Sequence, residues 1–251
     1  VIPPLLAGRA SRHIPALDPG RARTKTGRPW AVPRDDRGHG GADPPLPVRH
    51  YAPGRGGERA ERILEGFNGV FQVDGYGGHH RLARPGREGG APPRLAWCWS
   101  HGRREIIGAT PKAGSPIAEA ILARIAALHA IEAEIRAKDA STRRAFGDER
   151  SRPLVTKLAD FPRAQAARLA ERGEMGKAVA CLPNHWDGPK LSLENGGVEM
   201  DRKLVETQTG PLTVTRENAL FAGRDEGGRS WARVGSLIAT RNSTTSSPTL
   251  G

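Results

Sequence analysis

Apolar positions follow two rhythms along this chain. Before residue 112 they come as short runs punctuated by Gly and Pro: Ile14 to Leu17, Trp30-Ala-Val32, Val48-Arg-His-Tyr51, Val70-Phe-Gln-Val73 and Arg94-Leu-Ala-Trp-Cys-Trp-Ser-His101. Short runs rich in β-branched and aromatic residues predict strands. Pro29 and Pro33 flank the Trp30 run, which predicts an edge or damaged strand, since proline donates nothing to a ladder. Val48 to Tyr51 is expected to pair with it antiparallel. Ala60, Ile63, Leu64 and Phe67 instead share one face at helical spacing, predicting a helix over 58–67 that Gly66 and Gly69 stop.

From residue 115 the helical rhythm takes over. Ser115 is a good N-cap, Pro116 suits the first helical position, and Ile117, Ile121, Ile125, Leu128, Ile131 and Ile135 form one stripe. A helix over 115–138 follows, then another over 154–172 interrupted at Pro162. Asp201 is expected to cap a short helix over 202–208 that Gly210-Pro211 ends. Leu212-Thr-Val-Thr215 reads as a strand, 231–238 as a last helix, and the Ser/Thr-rich tail after Asn242 as disordered.

Composition narrows the classes. The 251 residues suffice for one large or two small domains, and 32 Gly with 21 Pro make the chain rich in loops. The net charge of +12, mostly from Arg, suits a polyanionic partner such as nucleic acid. Two cysteines give no disulfide framework and fit a reducing compartment, here taken as the cytoplasm. No apolar run approaches the roughly 20 residues that span a bilayer. The start lacks the charged-then-apolar order of a signal peptide and reads as the interior of a longer frame.

Candidate chemistry centres on Asp74, which directly follows Val70-Phe-Gln-Val73 and precedes Gly75, Gly77 and Gly78. A carboxylate at the end of a buried strand is where α/β folds place chemistry; the plain alternative is an Asp capping a turn. Cys98-x-x-His101 and Cys181-x-x-x-His185 have zinc-like spacing within each pair, but the Cys98 pair lies in an apolar run and the pairs are far apart in sequence. A serine hydrolase has no support, because Gly-x-Ser-x-Gly is absent.

Taken together the motifs resemble the insertion-sequence-66 family of transposases. They are Leu17-Asp-Pro-Gly20, Thr24-Lys-Thr-Gly27 with Trp30, Arg34-Asp-Asp-Arg37, Tyr51-Ala-Pro53 with Gly57-Glu58, and Gln72-Val-Asp-Gly-Tyr76. Cys98-Trp-Ser-His-Gly-Arg-Arg104, Gly114-Ser-Pro-Ile-Ala-Glu119, Asn184-His-Trp186, Val198-Glu-Met-Asp201, Glu206 and 218–228 follow in order. The resemblance covers about residues 14 to 240. It implies an α/β fold with an RNase H-like mixed sheet and a DDE triad that holds two Mg²⁺ or Mn²⁺ ions for DNA strand cleavage and joining. Asp74 matches the second carboxylate and Glu206 the third, both as metal ligands. The implied organisation is a first part of the core over 1–112, a helical insertion over 113–197, a return to the core over 198–240 and a tail over 241–251. The implied partners are transposon-end and target DNA, other proteins of the element and further copies of the chain. Arg21, Arg23, Lys25, Arg103 and Arg104 are the expected DNA contacts.

The first carboxylate is absent from its expected place. The family pattern puts it eight residues before Asp18, where Ala10 stands, and no acidic residue precedes Asp18. Arg202-Lys203, Thr207-Gln-Thr-Gly210 and Glu217 also depart from the pattern. The expectation is a truncated or degenerate copy with impaired catalysis; the alternative is a non-catalytic DNA-binding remnant, and a zinc protein is third.

Overall fold

A computed structural model describes residues 5–6, 8–9, 14–21, 23–35, 37, 40–54, 56–73, 77–165, 173–184, 187–201 and 222–245. The chain divides into two units: Val1–Arg37, Ala42–Arg94 and Arg202–Gly251 form the first, Gly38–Gly41 and Leu95–Asp201 the second.

The first unit is built on one long strand. β1 (Leu5–Leu6), β2 (Gly8–Arg9) and β3 (Ile14–Asp18) precede β4 (Arg23–Arg34), which serves them all and β5 (Leu46–Ala52) as well. Residues 23–27 of β4 pair antiparallel with β3, and residues 28–34 pair antiparallel with β5. On its other side β4 meets β2 at Trp30 and Ala31 and β1 at Arg34. The Trp30 segment is therefore an interior strand, correcting the edge expected from its prolines. Pro29 and Pro33 fit because, among the described residues, each stands where β4 pairs with β5 alone. The Val48 segment pairs as expected, with Trp30 opposite His50.

α1 (Gly57–Ile63) is shorter than its apolar pattern predicts, because the chain turns at Gly66, whose φ of 76° is left-handed. Arg87 closes this turn region, its buried guanidinium donating to the carbonyls of Leu64, Phe67 and Gly90. β6 (Val70–Val73) then runs parallel to β1, with Leu5 opposite Phe71 and Leu6 opposite Gln72, which makes the sheet mixed. β7 (Arg94–Trp97) starts beside it, the Arg94 N–H donating to the Gly69 carbonyl at 3.0 Å. A 3-10 helix at Gly77–Ala83 puts His79 into the core, where its ring meets Trp30 and Phe71 edge-on at 5.9 Å each.

The second unit is helical: α2 (Trp99–Ala109), α3 (Pro116–Ile135), α4 (Ala140–Phe146), a π turn at Gly147–Ser151, α5 (Arg152–Gln165), α6 (Glu174–Asn184) and α7 (Asp187–Glu194). The predicted strand over 94–101 thus stops at Trp97 and becomes a helix. α5 runs on past position 162, where an interruption was expected. α3 matches its stripe, with Ser115 accepting the Ala118 N–H and Ile121, Ile125 and Leu128 fully buried. Burying each such side chain contributes about 1.5–3 kcal/mol, which is why this helix was the most legible. Arg143 locks the α3–α4 corner, donating to Glu132 at 2.7 Å and to the Gly196 and Ile135 carbonyls.

α8 (Asp225–Thr245) returns to the first unit and lies on β5. It packs through small residues: Arg49 donates to the Gly235 carbonyl, and the Arg49 N–H donates to Ser236 Oγ. No described helix is long and apolar enough to cross a membrane.

Candidate functional site

β6 is the buried strand that leads to the candidate carboxylate. Phe71, Gln72 and Val73 are at most 1% exposed, and Asp74 is the next residue in the chain. Asp74 itself lies outside the described residues, as do Ala10 and the stretch 202–221 that carries Glu206. So do the expected short helix over 202–208 and the Leu212 strand.

Both flanks of that stretch are fixed, each within its own unit. The upstream flank, in the second unit, is Asp201, whose expected helix over 202–208 lies outside the described residues. Its Oδ1 accepts the Ser100 N–H at 2.9 Å, capping α2, and Oδ2 lies 2.9 Å from His129 Nε2 on α3. The Trp99 N–H also donates to the Met200 carbonyl. The bond from Asp201 raises the pKa of His129, outweighing burial, and the Ile125 carbonyl adds to the effect. Burial pushes Asp201 up, but the His129 and Ser100 bonds prevail and hold its carboxyl below the ordinary range. Cys98 is buried, its Sγ 4.0 Å from Asp201 Oδ1.

The downstream flank, in the first unit, holds a cluster that sequence reasoning missed. Lys25 Nζ donates to Asp225 Oδ2 at 2.7 Å, and Tyr51 Oη donates to Oδ1 of the same carboxylate at 2.9 Å. Burial raises the Tyr51 pKa first and the Asp225 bond adds to it, so this phenol stays protonated. The Tyr51 ring packs between two glycines: a Cβ on Gly27 would stand 2.3 Å from its hydroxyl, and one on Gly228 2.5 Å from its ring. The Leu17 N–H donates to the Gly223 carbonyl and the Ala222 N–H to the Pro15 carbonyl, so 222–223 runs along β3. The missed signal was that Lys25, Gly27, Tyr51, Asp225 and Gly228 all fall in the quoted motifs, although Lys25 and Asp225 stand 200 positions apart.

The expected DNA contacts separate accordingly. Arg21 and Arg23 are exposed at the β3–β4 turn, whereas Lys25 is engaged at the cluster above. Arg103 and Arg104 are exposed on α2, in the other unit. Among the described residues no three His, Cys, Asp or Glu side chains are grouped to hold a metal. Of the zinc-like pairs, His185 lies outside the described residues, and nothing described adds a third ligand to Cys98 and His101.

A family model described as Transposase IS66 family matches residues 13–230. Among curated proteins, the uncharacterized protein y4jD of Sinorhizobium fredii is 36% identical over 90% of this chain and 44% of its own length. The uncharacterized protein y4qI of the same organism is 33% identical over 90% of the chain and 42% of its own. The chain thus spans less than half the length of these relatives. No solved structure matches it.

Proposed function

Because the chain belongs to the IS66 family of transposases, we propose that it is the part of a DDE-type enzyme that carries the second and third carboxylates, Asp74 and Glu206, on an RNase H-like sheet. The observation that supports this most is the parallel pairing of β1 with β6 beside the antiparallel pairings of β4 with β1, β2, β3 and β5. Parallel strands lead towards the same edge of a sheet, and that edge is where α/β folds bind substrates. The chain continues from β6 straight into Asp74 and from β2 into Ala10.

The residues present do not fit the full metal set. DNA strand transfer by two ions about 3.5–4 Å apart needs carboxylate oxygens enough for both. Asp74 and Glu206 supply two groups, while Ala10 offers a methyl where the third belongs. What remains is DNA binding, and the charge balance favours the first unit for it. That unit has 23 Lys and Arg against 13 Asp and Glu; the second has 16 against 14. The chain is then a transposase-derived DNA-binding protein with impaired catalysis, acting on the DNA of its element.

The test is a strand cleavage and joining assay on transposon-end DNA with Mg²⁺ or Mn²⁺. Losing one electrostatic contact of this kind typically costs about 10²–10³ in rate, and a missing metal costs more. The unaltered chain is expected to give no product, and Ala10→Asp is expected to be necessary for recovery. Product from the unaltered chain that Asp74→Ala abolishes would show that the first carboxylate is supplied elsewhere.

A further inference from the structure

We propose that the β3–β4 ribbon enters a groove of duplex DNA, its outer face against base edges and its tip arginines against phosphates. This rests on the DNA-binding reading above and goes beyond it by naming the element and dividing the work among its residues.

The ribbon exists because β5 pairs with β4 only from Arg28 onward. Residues 23–27 pair with β3 alone, over five residue pairs from Asp18 opposite Arg23 to Ile14 opposite Gly27. At about 3.3 Å per residue that is an element roughly 16 Å long, two-stranded except where residues 222–223 bond the far edge of β3 at Pro15 and Leu17. A major groove about 12 Å wide admits such a ribbon.

The pleat sorts its side chains. Ile14, Ala16 and Gly27 are buried on the inner face, where Lys25 reaches Asp225 and Gly27 underlies Tyr51. The outer face presents Leu17, 43% exposed, with the exposed Thr24 directly opposite and the exposed Thr26 beyond it. That face carries no charge. Hydroxyls can bond any base edge, and aliphatic groups suit the thymine methyl. At the tip Arg21 is 65% exposed, its contact to Asp18 a long 3.8 Å, and Arg23, which the pleat places on the face of Lys25, is exposed beside it where the strand runs past the packed part of that face. Guanidinium groups so placed suit phosphate oxygens.

The ribbon is fixed along its length. The Leu17–Gly223 bond at 2.7 Å, the Ala222–Pro15 bond at 2.9 Å and the Lys25–Asp225 pair hold it, so little ordering remains to oppose binding. Lys25 is therefore engaged in holding the ribbon and does not belong to the phosphate contacts. Duplex is favoured over single strands because residues 14–27 contain no aromatic side chain on which an unpaired base could stack.

The experiment titrates a fluorescent duplex of roughly 25 base pairs and mixed sequence with the whole chain, between about 50 and 200 mM salt. Arg21→Gln with Arg23→Gln is expected to reduce the salt slope by about 2, which is about tenfold less affinity lost across that range. Thr24→Ala with Thr26→Ala is expected to keep the slope and to flatten base preference in selection from a random duplex library. All four side chains are exposed, so both variants should melt as the wild type does. An unchanged slope in the arginine variant, or tighter binding to a single strand of the same length, overturns the ribbon while leaving DNA binding intact. Failure of the wild type to bind duplex at low salt overturns the DNA reading itself, and the ribbon with it.

Discussion

Burial lowers a histidine pKa by penalising the charged ring, yet His129 moves upward, because the Asp201 carboxylate lies 2.9 Å from its Nε2. Raised in the folded state, His129 contributes stability that is fully present below its ordinary value of 6.5 and is lost as pH rises through the folded value. Asp201, lowered in the folded state, contributes above its ordinary 3.8 and fails as pH falls through its folded value. The pair is therefore strongest in the window between those limits. The difference in melting temperature between wild type and His129→Gln is expected to be largest near pH 5 and to shrink towards pH 9, both read by circular dichroism. A difference independent of pH would remove the charged pair. Sequence spacing identified Asp201 as a capping residue for 202–208, which lies outside the described residues; among the described ones its carboxylate caps α2. Its carboxylate caps whichever N–H the fold brings close, and Ser100 stands 101 positions away.

At the scale of elements, tertiary contacts decide where local rules stop. The α3 stripe was readable because every apolar residue of one face is needed for the core. β4 was misread because two prolines count against a central strand only if both sides of the strand need their N–H groups. The same logic governs glycine in helices. Gly108 in α2 has open space where a Cβ would go, so Gly108→Ala is expected to stabilise the chain by about 0.5–1 kcal/mol through helix propensity. Gly228 in α8 has the Tyr51 ring 2.5 Å from that position, with the hydroxyl of the ring tied to Asp225. There overpacking of about 1–3 kcal/mol exceeds the propensity gain, so Gly228→Ala is expected to lower the melting temperature by a few degrees. Thermal melts of the two variants should move in opposite directions. Stabilisation of both would mean that Tyr51 is not held between Gly27 and Gly228.

For the whole molecule, the sequence carried the family, because short motifs in a fixed order survive without knowledge of the fold, and the two carboxylates proposed for the site, Asp74 and Glu206, rest on that resemblance. The clamp of Lys25, Tyr51 and Asp225 was not legible, since nothing local pairs residues from the two ends of a chain. Charge was legible only as a total of +12; the division into units localises it, leaving an excess of ten positive charges in the first and two in the second. Polyanion binding follows such an excess, because each neutralised phosphate releases counterions, and a nearly balanced surface gains little from that release. Ultraviolet crosslinking of the whole chain to duplex DNA at low salt, followed by peptide mapping, is therefore expected to recover linked peptides mainly from 1–37, 42–94 and 202–251. The yield should fall steeply as salt rises through about 200 mM. Crosslinks gathered instead in 95–201, where Arg103 and Arg104 lie exposed on α2, would move the DNA-binding surface to the helical unit.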